Sequence, residues 1–184
     1  MKQGGGTIKT VSLKTPISPQ AAEKLTAGDQ VEISGRIYCG RDAVLPRLAD
    51  IAERGSLREL GVDLEGAVIF HTAVSPAGIG PTTSNKVEIE GSMEALSKSG
   101  VRLHLGKGAL SPDTVAALAR NGSLFAITPP LSALFSAKIL SSRVAAFPEE
   151  GMEAFFELQV DKMPAIIAAA QGRSIFQSDS GKQS

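Results

Sequence analysis

Three short loops, each bounded by glycine, carry cationic or hydroxyl side chains that could bind a small anion. The first contains Arg41, the second runs from residue 80 to residue 86, and the third places Lys107 between two glycines. An arginine guanidinium offers two parallel donors to a carboxylate, whereas a lysine ammonium acts as a point charge. Together the three loops could therefore form a site for a carboxylate or another small anion.

The second loop, Gly80-Pro81-Thr82-Thr83-Ser84-Asn85-Lys86, is the richest of the three in hydrogen-bonding groups. Its hydroxyls and backbone N–H groups are suited to an anion, and Lys86 adds a charge. The same composition is also typical of an ordinary turn. Gly-Lys-Gly at 106–108 lacks the longer glycine–lysine pattern of a phosphate-binding loop, so nucleotide binding is not indicated. From these residues alone, the segment could be either an ordinary turn or a binding loop.

The remaining reactive residue types point to no second site. Arg41 and Asp42 could form a local ion pair of little energetic value. The spacing of His71 and His104 matches no metal motif, and we expect packed or surface histidines rather than catalysts. Cys39 is the only cysteine. An intrachain disulfide and a self-contained cluster site of three or four cysteines are therefore excluded, and we predict no metal ligands in this chain.

Composition restricts the class of protein. The 184 residues are 42% hydrophobic and 21% charged, as in a globular domain, and 19 basic residues balance 19 acidic ones. We therefore expect neither nucleic acid nor a membrane as partner. Residues 1–14 lack the apolar core of a signal peptide, so we expect a cytoplasmic location.

The hydrophobic pattern predicts alternating strands and helices. Strands are predicted at 8–13, 31–38, 67–70, 101–105, 124–127, 155–160 and 174–176, with a bend at Gly35. Helices are predicted at 18–25, 43–59, 93–98, 111–119 and 132–139. This alternation indicates a single α/β domain. Each of the three polar loops follows a strand, where ligands of open α/β sheets tend to bind.

The loops also occur in a familiar order. The segments are Gly-Arg-Asp-Ala at 40–43 with Arg47-Leu48, Gly-Pro-Thr-Thr-Ser at 80–84 and Gly-Lys-Gly-Ala at 106–109. Their order and spacing resemble those in the β region of class I fumarases and L-tartrate dehydratases. Over about residues 14–176 the chain resembles this family of iron–sulfur hydro-lyases. Residues 1–13 then form a lead-in, and residues 177–184 a polar tail.

The resemblance implies a single swivelling β/β/α-type domain that closes over a small dicarboxylate and helps to add or remove water. It also implies a 4Fe–4S cluster held by a partner α chain, and so a hetero-oligomer. By the same analogy Thr82, as the candidate base, and Lys107 are catalytic. Arg41, Thr83 and Lys86 would bind the substrate.

Four departures from the family pattern affect the expected pocket. Leu45 replaces a histidine, Lys86 replaces an arginine, Ala109 replaces a glycine, and residues 128–131 replace a glycine-rich segment. Because lysine lacks the bidentate grip of arginine, a substrate carboxylate should be oriented less firmly. Two alternatives therefore stay open. The substrate could be another hydroxy-dicarboxylate, or the chain could bind a carboxylate or a partner without catalysis.

Overall fold

The computed structural model describes residues 9–75, 78–82, 86–129 and 136–177. The strands in these ranges are β1 (Thr10–Lys14), β2 (Gln30–Gly40), β3 (Val68–Ser75), β4 (Gly78–Thr82), β5 (Leu103–Gly106), β6 (Leu124–Ile127), β7 (Ile139–Ala146), β8 (Phe155–Ala170) and β9 (Arg173–Ser174). The α-helices are α1 (Pro19–Glu23), α2 (Leu45–Glu53), α3 (Lys86–Lys98) and α4 (Pro112–Arg120). Short 3-10 helices span Leu57–Leu60 and Pro148–Glu153. None of the helices described is long and apolar enough to cross a membrane.

Five of the strands close into a ring. Strands β2, β3, β5 and β6 lie side by side in parallel, and β8 pairs antiparallel with β6 and with β2. The 16-residue length of β8 allows this double pairing, because its end pairs with β6 while most of its length follows β2. β1 extends the sheet beside β2, and β7 pairs with the first half of β8.

The interior of the ring is apolar. Alternate residues of the parallel strands, such as Phe70, Leu103 and Leu105, pack there against Leu158 and its neighbours on β8. Cys39 belongs to this cluster and is fully buried, and burial raises the pKa of its thiol. Its sulfur is therefore a core group and is not presented at a strand end.

The outer face of the parallel strands is covered by helices. Ile69 of β3 packs with Leu48 of α2 and Leu96 of α3, while Phe125 of β6 packs with Leu118 of α4. Helices thus cover one side of the parallel strands, and β8 crosses the opposite side of the core. The predicted α/β class and single domain are confirmed. The swivelling movement stays a prediction.

Local sequence signals account for two of the helix starts and for the bend in β2. Ser18 and Ser111 cap α1 and α4 by accepting backbone hydrogen bonds, and each is followed by a proline at the first helical position, as predicted. The pairing register of β2 shifts between Ile33 and Gly35. Gly35 has φ of 111°, and a Cβ there would lie 2.5 Å from Oγ1 of Thr15, so only glycine fits this bend.

Several predicted boundaries were wrong, and the helix predicted at 93–98 begins earlier, at Lys86. The helix predicted at 43–59 ends at Glu53, because Gly55 takes a positive φ and a 3-10 turn follows. The strand predicted at 155–160 continues to Ala170, even though it contains Pro164. The helix predicted at 132–139 does not reach Ile139, which begins β7. Residues 130–135 lie outside the described ranges.

Candidate functional site

Three parallel strands carry the predicted cations to one edge of the sheet. Gly40 at the end of β2 is in register with His71 of β3, and Phe70 is in register with Leu105 of β5. Gly106 therefore lies level with His71 on its other side. Adjacent strands lie about 4.8 Å apart, so the backbones of the next residues, Arg41 and Lys107, are separated by roughly 10 Å. Two long cationic side chains can bind one small dicarboxylate across that distance.

Thr82 lies at the same edge. It is the last residue of β4 and is in register with Thr72, which follows His71 in β3. The backbone of Thr82 is therefore held beside the strand that lies between Arg41 and Lys107. Thr83 and the rest of 83–85 lie outside the described residues. Lys86 begins α3.

Arg41 is held loosely. Its Nη1 lies 3.7 Å from Oε1 of Glu153, and this is the only ion pair that Arg41 makes within the described part of the chain. Its Nε is buried and has no hydrogen-bond partner. The guanidinium therefore keeps donors that could bind a carboxylate.

Lys107 follows β5 in an exposed turn. None of the ion pairs described for this structure includes its ammonium group. It thus offers a flexible point charge opposite the more constrained Arg41.

Leu45 occupies the position at which the family resemblance predicts a histidine, and it makes apolar contacts there. Leu45 begins α2 and is buried, and its Cδ2 lies 3.0 Å from the place that a Cβ on Gly40 would take. Leu45 therefore fills the space above Gly40 and adds no polar group to this wall of the site.

Sequence reasoning missed a polar cluster at the site. Nε2 of His71 lies 3.0 Å from Nδ1 of His104, whose Nε2 lies 2.9 Å from Oγ of Ser97 in α3. Burial lowers the pKa of His71 to about 4, and burial with the neighbouring His71 lowers that of His104 as well. The expectation of a packed histidine is confirmed for both. No local sequence pattern links these residues, because they lie on β3, β5 and α3.

The described residues do not provide a metal or cluster site. They contain no group of three or more His, Cys, Asp or Glu side chains placed to hold a metal ion. The only cysteine of the chain lies in the apolar ring interior. A 4Fe–4S cluster therefore does not fit the ligands that this part of the chain offers.

Comparisons with known proteins identify the family of this chain. Residues 1–179 match the family model described as Fumarase C-terminus. The chain is 27% identical over 192 residues to the anaerobic class I fumarate hydratase of Escherichia coli (strain K12), covering 98% of this chain and 34% of that enzyme. It is 24% identical over 190 residues to the aerobic class I enzyme of Salmonella typhimurium (strain LT2), covering 98% and 33%.

A further relative is named as one subunit of an enzyme. The chain is 28% identical over 134 residues to the L(+)-tartrate dehydratase subunit beta of Escherichia coli (strain K12), covering 68% of this chain and 64% of that subunit. In contrast, it spans about a third or less of the length of the curated fumarate hydratases that it matches.

Proposed function

Because this chain belongs to the Fumarase C-terminus family, we propose that it is the substrate-binding β component of a heteromeric hydro-lyase. The proposed reaction is the reversible hydration or dehydration of a small dicarboxylate of the fumarate–malate or tartrate type. The observation that carries the proposal is the single sheet edge at which Arg41, Thr82 and Lys107 meet on neighbouring strands.

The charges at this edge suit the chemistry. Removing a proton next to a carboxylate builds negative charge on that carboxylate, and fixed cations nearby lower the barrier. Arg41 and Lys107 would both stabilise this charge, and Arg41 would also hold one carboxylate through its paired donors. Thr83 and Lys86 complete the proposed substrate contacts.

Thr82 is the proposed base. A threonine hydroxyl is a weak base, so its function requires surroundings that favour its ionised form. Arg41 and Lys107 would contribute two positive charges to those surroundings. The partner chain would supply the remainder when the domain closes over the substrate.

The proposed partner is an α chain that carries the 4Fe–4S cluster. This assignment is carried over from the family resemblance, and the single buried cysteine is compatible with it. L(+)-tartrate dehydratase subunit beta, which is named as one subunit of its enzyme, supports a division between chains.

One observation favours a related substrate as the alternative. Leu45 makes the wall above Gly40 apolar where a histidine is expected. A dicarboxylate with a methyl or another apolar substituent would match this wall better than fumarate does. Hydration of such an acid is the second candidate function.

Reconstitution of the two chains under anaerobic conditions tests the proposal. The pair should be assayed with fumarate, malate, L-tartrate and methyl-substituted malates, with each chain alone as the control. We expect turnover of at least one acid, and only by the pair. A correctly assembled, cluster-loaded pair that converts none of them would refute the proposed function.

A variant pair tests the role of Thr82 within that assay. Thr82→Ala should reduce turnover by about 10²–10⁴-fold without changing the melting temperature, since it removes the proposed base. Thr10→Ala, at an exposed position of β1, is the matched control and should keep full activity. Turnover that is unchanged by Thr82→Ala would remove this residue from its role.

A further inference from the structure

The two histidines of the chain form a buried hydrogen-bonded series with Ser97, and one end of it is unsatisfied. His71, His104 and Ser97 are 2%, 0% and 4% exposed, so bulk water does not complete their hydrogen bonding. The series runs from Ser97 Oγ through the ring of His104 to Nε2 of His71. Nδ1 of His71 is buried and has no hydrogen-bond partner.

The unsatisfied end lies at the edge already described. Side chains at paired positions of parallel strands point to the same face, so His71 lies level with Gly40 and Gly106 on the helix-covered face. Neither glycine has a side chain. His71 is therefore the only side chain at this level of β2, β3 and β5, with Arg41 and Lys107 one residue further along the flanking strands.

Hydrogen-bond satisfaction fixes the direction of the series. Both rings are neutral near pH 7, because burial lowers their pKa values. Within the described residues the Ser97 hydroxyl has one hydrogen-bond partner, Nε2 of His104, and a buried hydroxyl without another acceptor donates there. The proton of His104 is then on Nδ1 and is donated to Nε2 of His71. The proton of His71 must be on Nδ1.

From this arrangement we infer that His71 is a substrate-binding residue whose Nδ1–H donates to a carboxylate oxygen of the bound dicarboxylate. A buried donor without a partner is unfavourable, and an anion between two cations supplies the missing acceptor. Donation along the series polarises each successive N–H, which strengthens the last donor. The inference rests on the proposed function, since it adds a neutral contact to the same site. His104 and Ser97 are positioning residues that keep the proton of His71 on Nδ1.

Imidazole ¹⁵N NMR tests the inference without turnover. With only two histidines in the chain, four ring nitrogens give the entire labelled spectrum. The wild-type protein assembled with its partner should show both rings protonated on Nδ1. Succinate, an unreactive dicarboxylate, should shift the His71 Nδ1–H signal more than any signal of His104. Acetate at the same carboxylate concentration is the control and should cause a smaller shift.

Three results would overturn the inference. They are a His71 ring protonated on Nε2, a His71 Nδ1–H signal unmoved when calorimetry shows succinate bound, and no succinate binding at all. The first two would leave a water molecule or another protein group as the partner of His71. None of these results depends on turnover. Failure of the inference is therefore distinguishable from failure of the proposed function, which is the absence of conversion by the assembled pair.

Variants separate binding from a structural role. His71→Leu removes the donor and should raise KM about tenfold with kcat within about threefold, whereas His71→Asn keeps an N–H near the Nδ1 position and should stay within about threefold in KM. Ser97→Ala removes the group that fixes the direction and should shift part of the His71 population to the Nε2 tautomer. A folded His71→Leu variant with unchanged KM would contradict the inference. So would a Ser97→Ala variant whose His71 tautomer is unchanged, even if the leucine variant fails to fold.

Discussion

Arg41 and Arg47 lie six residues apart and face the same acidic segment, yet they are held in opposite ways. Arg47 donates to Glu149 at 2.7 Å and to Glu150 at 2.9 Å, and its guanidinium lies 4.1 Å from the ring centroid of Phe147. Arg41 has a 3.7 Å contact with Glu153 and a buried Nε without a partner. Arg47 thus makes two short ion pairs and a ring contact within the fold, whereas Arg41 makes one long ion pair.

The difference separates stability from binding. Arg47 attaches the 3-10 segment Pro148–Glu153 to α2, and this attachment lowers the pKa of Glu149 through the hydrogen bond. Arg41 follows the end of β2, at the same sheet edge as the backbones of Lys107 and Thr82. A charged group near a strand end is therefore a better candidate for ligand binding when its own fold leaves it unsatisfied.

The largest expected effect is loss of activity in Arg41→Gln. Removing the guanidinium should lower kcat/KM by about 10²–10³-fold, because a fixed cation at the developing charge is lost. Steady-state kinetics of the reconstituted pair measures this, with Arg47→Gln as the matched control. Equal losses in the two variants would abolish the distinction between the two arginines.

The next largest effect is a dependence of the free energy of unfolding on pH, which we expect the histidines to cause and the arginine contacts not to cause. The pKa of His71 is about 4 in the folded protein and about 6.5 when unfolded, so the unfolded chain binds more protons below pH 6.5. The free energy of unfolding should therefore fall by about 3 kcal/mol for His71 as pH drops from 6.5 to 4.

Urea unfolding at several pH values measures this slope, and the double variant His71→Leu, His104→Leu should flatten it. Arg47 lowers the pKa of Glu149, so the contribution of this ion pair to stability is lost only at more acidic pH. A double variant that keeps the wild-type slope between pH 6.5 and 4.5 would show that other groups cause it.

A smaller effect is expected on the stability of Arg47→Gln. Loss of the two hydrogen bonds and of the contact with Phe147 should lower the melting temperature by roughly 2–4 °C while leaving kcat/KM unchanged. Differential scanning calorimetry measures the shift, and Arg41→Gln serves as its control. A melting temperature that falls more in Arg41→Gln than in Arg47→Gln would reverse the comparison.

The smallest effect is expected for Glu153→Gln. Its contact with Arg41 is long and partly exposed, so stability should change by no more than about 0.5 kcal/mol. Loss of a competing carboxylate beside Arg41 should lower KM slightly, by less than about threefold. Steady-state kinetics with Glu149→Gln as control tests this, and a large rise in KM would show that Glu153 positions Arg41.

Local signals predicted the elements that frame the site. Ser18-Pro19 and Ser111-Pro112 mark helix starts through capping groups that act within one turn, and the apolar run before His71 marks a buried strand. The loops at Arg41 and Lys107 could be placed at strand ends for the same reason. Their meeting at one edge depends on strand register, which the sequence alone does not specify.

Features that depend on contacts between distant parts of the chain could not be predicted from the sequence. β7 contains Leu140 and Val144 exposed among polar residues, a pattern with no clear periodicity, and its strand form depends on pairing with β8. The hydrogen bonds of His71, His104 and Ser97 join β3, β5 and α3, so no local pattern could link them. The unused donors of Arg41 likewise became visible only when its neighbours in space were known.

The most direct test of the central claim is hydration measured in deuterium oxide. The anaerobically reconstituted pair should be supplied with its best dicarboxylate, and carbon-bound deuterium in the product should be followed by NMR. We expect one deuterium to be incorporated per turnover by the pair, and none by either chain alone. Full turnover by the α chain without this chain would contradict the claim that this sheet edge provides half of the active site.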